Sequence, residues 1–274
     1  MSLLARILAK KRDEVKDLKS KVAAYTDAYA SFQTPPKRVR APLDVRVKLR
    51  RPPGSPLRLI AEIKFKSPSA GPLSRVLGVA ERAKAYADAG ASMVSVLTDH
   101  EFFDGSFSNL MSAGVALGKT DVPLLAKDFV IDPVQVTAAA RSGADAVLLI
   151  VRIVDDGALS ELFAACKEER VEPLVEVFSE PELERAVALG ARVIGVNARD
   201  LDTLELDAAR AVRVTAKIPK DVISLHLSGV KTKDDVTKLA KGPADGALIG
   251  EVLMRQDDPR ALLRSLVSGS PVLN

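Results

Sequence analysis

A glycine-containing turn recurs four times in the second part of the chain, each time after a helical pattern and before a β-rich run. The turns read AGAS, SGAD, LGAR and, more loosely, GPAD, and their glycines Gly90, Gly143, Gly190 and Gly242 lie 53, 47 and 52 residues apart. Glycine at the end of a helix permits the left-handed C-cap conformation. Each interval has room for two βα units, so the repeat predicts four quarters and eight strands.

The runs between these turns alternate in character. Helical patterns such as ERAKAYADAG and SEPELERAVALG separate short apolar runs rich in β-branched residues, and this alternation favours a parallel sheet. Eight such units predict a closed (β/α)8 barrel. A doubly wound open sheet is the alternative, but it does not need a fourfold period, and the chain has no GxGxxG turn to support it. The predicted strands are residues 59–64, 92–97, 122–127, 146–151, 171–177, 193–197, 222–227 and 244–249.

Residues 1–58 precede the barrel, which we assign to residues 59–268. Apolar residues recur at helical spacing near the N-terminus and predict an amphipathic helix that leans on the barrel; they are Leu4, Ile7, Leu8, Val15, Leu18 and Val22. Prolines break residues 33–56, where we expect an extended connector without regular structure. That connector carries seven basic residues against Asp44 alone, a local charge of +6, whereas the whole chain carries +4.

The basic connector has two possible meanings. A nucleic-acid arm is one, but interleaved aromatic residues and a recognition motif are missing. We favour a solvated segment that biases the nearby field toward anionic substrates. The rest of the chain is slightly acidic, so the pI of about 9.1 reflects one segment and does not make this a basic protein.

Composition narrows the class further. At 274 residues and 47% hydrophobic content the chain can bury one large core, and a barrel of about 250 residues fits. The single cysteine, Cys166, excludes an internal disulfide and a cysteine-clustered metal site, so we expect a cytoplasmic protein. No apolar run approaches the roughly 18 residues that cross a bilayer, and no signal peptide is visible. We expect a monomer that uses neither metal nor cofactor.

Charged residues interrupt the first predicted strand. Glu62 and Lys64 lie two residues apart, so both side chains point to one face. A turn-rich loop, Ser67 to Gly71, follows and has hydroxyl and backbone N–H groups that can bind an anion. A surface ion pair at the strand tip is the structural alternative for this stretch alone.

Polar residues follow other strands in the same way, and in a (β/α)8 barrel the C-terminal strand ends carry the reactive groups. Two lysines and an arginine can hold an anionic or carbonyl substrate, and two carboxylates can act as general bases. Backbone N–H groups in the turns after the last two strands occupy the usual phosphate position. The residues are Glu62, Lys64, Lys127, Glu176, Asn197 and Arg199, with Ser228, Gly229, Gly250 and Glu251 at the phosphate turns. A phosphorylated small molecule is the expected substrate.

Six segments, in order along the barrel, closely resemble the indole-3-glycerol phosphate synthase family. The N-terminal helix also resembles the extra helices that precede the first strand in that family. The segments are AEIKFKSPSAGPLS (61–74), SVLTDHEFFDGSFSNL (95–110), VPLLAKDFVIDPVQV (122–136), LVEVFSEPELERA (174–186), IGVNARDLDTLELD (194–207) and LIGEVLMR (248–255). The resemblance implies a lyase of tryptophan biosynthesis that converts 1-(2-carboxyphenylamino)-1-deoxyribulose 5-phosphate to indole-3-glycerol phosphate with loss of carbon dioxide and water.

The resemblance also implies roles for individual residues. Lys127 would be the general acid, Lys64 would bind the substrate carboxylate, and Glu176 would stabilise positive charge and serve in dehydration. Glu62 would be a further acid–base or orienting carboxylate. Asn197 would be the fifth catalytic residue, near the anthranilate portion and the lysines. The substrate-binding residues would be Arg199 near the anthranilate portion, Ser67 and Phe129 in the pocket wall, and Ser228, Gly229, Gly250 and Glu251 around the phosphate.

One position departs from the family pattern. The family usually carries glutamate before the Ser-Gly of the seventh strand, whereas this chain has Leu227 there, preceded by His226. By alternation His226 should point toward the helices. Leu227 keeps open a non-catalytic or diverged phosphate-binding barrel as the alternative function. A relative of phosphoribosylanthranilate isomerase is less favoured, because that enzyme uses a cysteine and an aspartate at strand ends and Cys166 lies in a helical pattern.

Overall fold

The computed structural model describes residues 2–29 and 38–268, and these residues form a closed barrel of eight parallel strands. Every strand is parallel to both of its neighbours around the barrel. This confirms the predicted (β/α)8 barrel. The barrel strands are β1 (Arg58–Ile63), β4 (Met93–Leu97), β5 (Leu124–Lys127), β6 (Ala146–Ile150), β7 (Glu172–Val177), β8 (Val193–Asn197), β9 (Ile223–Leu227) and β10 (Gly246–Ile249). Around the barrel they follow the order β1-β10-β9-β8-β7-β6-β5-β4.

Between β1 and the next barrel strand the chain makes a small antiparallel pair, β2 (Lys66–Ser67) and β3 (Gly71–Pro72), in the stretch predicted as a loop. Gly71 has φ +68°, a value that favours glycine, at the end of this turn. The helices are α1 (Leu3–Tyr29), α2 (Val45–Leu49), α3 (Val79–Asp88), α4 (His100–Phe103), α5 (Phe107–Ala116), α6 (Pro133–Arg141), α7 (Asp156–Glu168), α8 (Glu180–Ala188), α9 (Ala208–Thr215), α10 (Lys233–Ala240), α11 (Glu251–Met254) and α12 (Arg260–Ser268).

The core has two layers because alternate residues of each strand face opposite sides of the sheet. On β1, Leu59 and Ala61 join the apolar layer shared with the surrounding helices, whereas Ile60 joins the cluster that fills the barrel interior. Leu225 and Leu227 of β9 belong to the same interior cluster. Glu62 continues the inward series at the C-terminal end of β1, so one strand supplies both core and site.

Helix α1 confirms the predicted amphipathic N-terminal helix. Its Leu4 and Ile7 pack in the interior cluster together with Phe129, which follows β5. Lys11, only 2% exposed, places its Nζ 2.9 Å from Asp99 and 2.7 Å from Asp128, residues that follow β4 and β5. Helix α1 therefore lies against the C-terminal end of the barrel on the β4–β5 side.

The prediction of an extended, solvated connector is wrong for its described part, residues 38–56; residues 33–37 lie outside the described residues. Helix α2 forms there, capped by Asp44, and its Leu49 is fully buried. Arg40 is only 7% exposed and donates to the carbonyl of Val122. Val122 precedes β5, so this segment closes the N-terminal end of the barrel. Four of its arginines donate to backbone carbonyls far from the strand ends where substrate was expected: Arg38, Arg40, Arg50 and Arg51.

No helix in the described part of the chain is long and apolar enough to cross a membrane. The boundary between a 1–58 extension and a 59–268 barrel remains a prediction.

Candidate active site

Glu62 stands at the centre of a three-residue ion cluster. It is 1% exposed on β1, and Lys64, just past the strand end, pairs with its Oε1. Lys127, the last residue of β5, places its Nζ 3.3 Å from Oε2 of the same carboxylate. Although β4 separates the two strands in the barrel, the inward direction of all three side chains brings them together. One buried carboxylate therefore holds both lysines.

The charges in this cluster support one another. Burial alone would raise the pKa of Glu62, but Lys64 and Lys127 outweigh it and lower this pKa to about 2. Burial alone would lower the pKa of Lys127, but Glu62 and Glu176 outweigh it and raise this pKa above its ordinary value. At neutral pH Glu62 is ionised and Lys127 carries a proton that it can donate.

The pKa of Glu176 shifts in the direction opposite to that of Glu62. This residue lies on β7, is 4% exposed, and accepts a hydrogen bond of 2.9 Å from Nδ2 of Asn197 on β8. Burial raises the pKa of Glu176, although Lys127 and the hydrogen bond from Asn197 oppose the shift. The side chain of Asn197 is itself oriented, because its Oδ1 accepts a hydrogen bond of 3.0 Å from the backbone N–H of Arg199. Two carboxylates with pKa values shifted in opposite directions are the usual sign of separate acid–base roles.

The turn after β9 exposes backbone at the same mouth. Ser228 and Gly229 have φ values of +75° and +86°, and the left-handed region is costly for serine. At Gly250, which follows β10, an added Cβ would lie 2.4 Å from Oε1 of Glu62 and 3.1 Å from Nζ of Lys64. Only glycine leaves space for the ion cluster here. These turns leave backbone N–H groups and hydroxyls beside the lysines, a suitable arrangement for a phosphate group.

One cavity joins these parts. Ten of the twelve predicted site residues line it: Glu62, Lys64, Lys127, Glu176, Asn197, Arg199, Ser228, Gly229, Gly250 and Glu251. The carboxylate of Glu251 is engaged by Arg255, with 2.9 Å between Oε1 and Nη2, so the residue is available to an anion chiefly through its backbone. Among the described residues no group of three or more His, Cys, Asp or Glu side chains is arranged to hold a metal ion.

Two predicted residues do not line the cavity. Ser67 is 5% exposed and its Oγ is occupied within the loop, 3.0 Å from Oγ of Ser69 and 3.1 Å from the backbone N–H of Ala70 that donates to it. Phe129 is buried beneath α1, with its ring centroid 6.2 Å from that of Phe103. The short β2–β3 pair turns Ser67 inward and presents Ser69, and helix α1 covers Phe129. Their roles in substrate binding remain predictions.

The cavity also contains residues that the sequence reasoning missed: Ser69, Val230, Lys231 and Leu248. Leu248 lies on β10, two residues before Gly250, so strand alternation identifies its side chain as inward-facing. Lys231 follows the phosphate turn and adds a positive charge at that side. Both residues lie within four positions of a strand end, and this proximity is the signal in the sequence that could have identified them.

Leu227 lines the cavity as the last residue of β9. It is 2% exposed, and its Cδ1 occupies the space in front of Gly195, where an added Cβ would approach it to 2.5 Å. The neighbouring His226 is 7% exposed and does not line the cavity, as predicted from alternation. Burial lowers the pKa of His226, so it is neutral at neutral pH.

A (β/α)8 barrel with a buried acid–base cluster at its C-terminal mouth and open backbone after its last two strands defines a barrel enzyme that handles a phosphorylated small molecule. A family model described as indole-3-glycerol phosphate synthase matches residues 4–266. The chain belongs to the indole-3-glycerol phosphate synthase family, and it is therefore a carboxy-lyase of tryptophan biosynthesis.

Relatives with that name cover most of the chain. The indole-3-glycerol phosphate synthase of Mycobacterium ulcerans is 43% identical over 227 residues, which are 83% of this chain and 81% of the relative. The protein of the same name from Chloroherpeton thalassium is 41% identical over 258 residues, 94% of this chain and 96% of the relative. The family and the enzyme class implied by the sequence resemblance are thus confirmed.

Solved structures of lower identity agree on the fold alone. Thiamine phosphate pyrophosphorylase from Pyrococcus furiosus superposes with a TM-score of 0.60 at 14% identity, covering 82% of this chain and 97% of that one. The 3-hexulose-6-phosphate synthase from Salmonella typhimurium gives a TM-score of 0.59 at 12% identity, covering 78% and 98%.

Proposed function

We propose that the cluster of Glu62, Lys64, Lys127, Glu176 and Asn197 closes the indole ring of 1-(2-carboxyphenylamino)-1-deoxyribulose 5-phosphate, giving indole-3-glycerol phosphate, carbon dioxide and water. The observation that carries this proposal is the pair of buried carboxylates whose pKa values are shifted in opposite directions at one mouth. Ring closure needs a proton donor at a carbonyl oxygen and a carboxylate near developing positive charge. Lys127, whose pKa both carboxylates raise, meets the first need, and Glu176 meets the second.

The first bond-making step uses Lys127. The aromatic carbon that bears the substrate carboxylate attacks the ketone carbon, and Lys127 gives its proton to the ketone oxygen. Glu62 keeps Lys127 protonated until that moment because it accepts from the lysine at 3.3 Å. Lys64, held by the other oxygen of Glu62, faces the substrate carboxylate. When carbon dioxide leaves, the electron pair of the broken bond restores the aromatic ring.

The second stage removes water. The new hydroxyl group leaves with a proton from a lysine, and the nitrogen lone pair stabilises the cation that forms. Glu176 offsets this positive charge and accepts the proton lost from the neighbouring carbon, which completes the indole double bond. Asn197 holds Glu176 in place through the 2.9 Å hydrogen bond. Arg199 contacts the anthranilate side, and Ser228, Gly229 and Gly250 bind the phosphate.

Adding the substrate and following indole fluorescence tests this function, because the chain has no tryptophan of its own. We expect signal with the parent protein and a loss on the order of 10²-fold or more in Lys127→Ala and Glu176→Ala. Lys84→Ala, an exposed lysine on α3, serves as the matched control and should behave as the parent. Equal activity in Lys127→Ala and Lys84→Ala would refute the role given to Lys127.

A non-catalytic, phosphate-binding barrel is the second candidate, and Leu227 is the observation that favours it. An apolar residue in the cavity removes one inward carboxylate that family members usually have. The retained ion cluster argues against this candidate, since buried charges at a barrel mouth cost stability unless function maintains them. Substrate binding without turnover in the parent would support it.

We further propose that the enzyme acts as a monomer in the cytoplasm, where a buried free thiol such as Cys166 stays reduced.

A further inference from the structure

Arg210 of α9 connects the ends of two strands that carry proposed catalytic residues. Its Nη1 donates a hydrogen bond to the carbonyl oxygen of Phe178, two residues beyond Glu176. Its Nη2 donates to the carbonyl oxygen of Asn197 at 2.9 Å. A single guanidinium therefore bridges the segment after β7 and the last residue of β8, and its planar fork suits two acceptors at once.

Phe178 anchors this guanidinium. The guanidinium carbon of Arg210 lies 3.3 Å from the centre of the Phe178 ring, and that of Arg152 lies 4.4 Å from it. The backbone N–H of Phe178 donates to Oε2 of Glu182 at 2.7 Å. A guanidinium over an aromatic face is attracted by the negative potential of the ring, and this attraction is stronger where water is excluded. The ring and the carbonyl of one residue thus both fix Arg210.

A second arginine ties the same network to β6. Arg152, which follows β6, lies 3.5 Å from Glu182 through its Nε and 3.2 Å from Asp200 through its Nη1. These partners come from α8 and from the loop after β8. Ion pairs and stacked groups therefore connect the ends of three neighbouring strands, β6, β7 and β8.

We propose that Arg210 is a positioning residue that holds the ends of β7 and β8 in register, so that Asn197 and Glu176 stay within hydrogen-bond distance of each other. The inference rests on the proposed function, in which the Glu176 carboxylate must meet a small region of developing charge. A shift of about 1 Å in such a group lowers rates on the order of 10²-fold. Arg210 does not line the cavity, so its effect reaches substrate only through these two residues.

The network also sets the charges around Glu176. Lys127 on β5, Glu182 on α8 and Arg152 after β6 are the charged groups that act on it, and Asn197 on β8 is its hydrogen-bond donor. Loss of the Asn197 hydrogen bond would remove an influence that lowers the pKa of Glu176, so this pKa would rise further. A purely structural arginine would leave it unchanged.

The test compares Arg210→Met, Arg210→Lys and Arg213→Met. Arg213 lies on the same helix one turn later and is exposed, which makes it a matched control. We expect Arg210→Met to lose on the order of 10²-fold in kcat with KM nearly unchanged, since the phosphate turns belong to other strands. In the pH profile of kcat, the acid limb of Arg210→Met should move to higher pH, because the pKa of Glu176 rises. Arg210→Lys keeps the charge and can reach one carbonyl, so it should recover part of kcat.

A second measurement does not need turnover. Carbon-13 NMR titration of the Glu176 carboxyl group, assigned through Glu176→Gln, should show a higher pKa in Arg210→Met than in the parent and in Arg213→Met. If the parent has no synthase activity, the proposed function fails while this titration still decides the positioning role.

Either of two results would overturn the inference. One is an Arg210→Met protein with a lower Tm but with parental kcat per folded molecule and parental Glu176 pKa. If Arg210→Met does not fold, the Arg210→Lys variant decides instead. The second result is then an Arg210→Lys protein with parental kcat and a parental pKa of Glu176.

Discussion

Leu227 is the residue at which the chemistry of this cavity can be changed most directly. The side chain is buried beside Gly195 and faces the same cavity as both lysines. A carboxylate there could pair with one of them, and it would cost stability wherever that pairing is incomplete. In this chain the lysines therefore pair with Glu62, and Leu227 adds no charge to the cavity.

We predict that Leu227→Glu maintains or raises kcat and lowers the free energy of unfolding by about 1–3 kcal/mol, since it buries a polar group. Indole fluorescence assays and urea unfolding measure the two effects. Leu227→Gln, of similar size and without charge, is the control. A large loss of kcat in the glutamate variant alone would show that the site has been rebuilt around leucine.

At the scale of elements, the N-terminal helix is part of the site's support. Among the described residues, Lys11 is the only cation that forms an ion pair with Asp99 or Asp128, and both aspartates follow barrel strands. Asp128 also accepts a hydrogen bond of 2.7 Å from the hydroxyl of Thr98 and directly follows Lys127 in the chain. Asp99 and Asp128 raise the pKa of Lys11 despite the opposing effect of burial, so the ammonium stays charged. Docking of α1 is thus coupled to the end of β5.

Removing this ammonium should be costly. We predict that Lys11→Met lowers the free energy of unfolding by about 3–5 kcal/mol, because two buried carboxylates lose their partner. Lys10→Met changes the exposed neighbour on the same helix and should stay within about 0.5 kcal/mol of the parent. Chemical denaturation measures both variants. Equal stability of the two would mean that α1 docks through its apolar residues alone.

At the scale of the whole molecule, the described part of the connector, residues 38–56, makes the same kind of aspartate contact with each half of the barrel. Asp145 accepts from the backbone N–H groups of Leu43 and Leu124 at 2.9 and 2.8 Å. Asp245, one hundred residues later, accepts from those of Arg51 and Ser224, both at 2.9 Å. Each aspartate lies just before a strand and also faces an arginine, Arg40 in the first half and Arg50 in the second. The connector therefore bridges equivalent positions of both halves at the end opposite the active site.

This arrangement predicts stability effects that leave catalysis unchanged. Asp145→Asn and Asp245→Asn should each lower the free energy of unfolding by about 1–3 kcal/mol, since an amide cannot accept as the carboxylate does and leaves a buried donor unpaired. Values of kcat below the unfolding temperature should match the parent. Asp221→Asn alters an exposed aspartate on the same face and should be nearly neutral. A loss of kcat in folded Asp145→Asn would show that the two ends of the barrel are coupled.

Local pattern determined the architecture and most of the site. Alternation of apolar and polar residues is set by backbone geometry, so the eight strands could be found within about two residues. In a parallel barrel all C-terminal strand ends meet at one mouth, and this rule places Glu62, Lys127, Glu176 and Asn197 together before any contact is known. The resemblance of six segments then pointed to the family.

Tertiary structure decided what depends on contacts between distant residues. The basic connector was one such case, because only the folded barrel brings Arg38, Arg40, Arg50 and Arg51 to the backbone carbonyls that accept their hydrogen bonds. Ser67 and Phe129 were another, since a short β pair and helix α1 decide which side chains reach the cavity. The bridge from Arg210 to the ends of β7 and β8 has no local pattern at all. The opposite pKa shifts of Glu62 and Glu176 also had to come from the fold. Burial raises the pKa of both carboxylates, and the positions of the two lysines determine that the pKa of Glu62 falls while that of Glu176 stays raised.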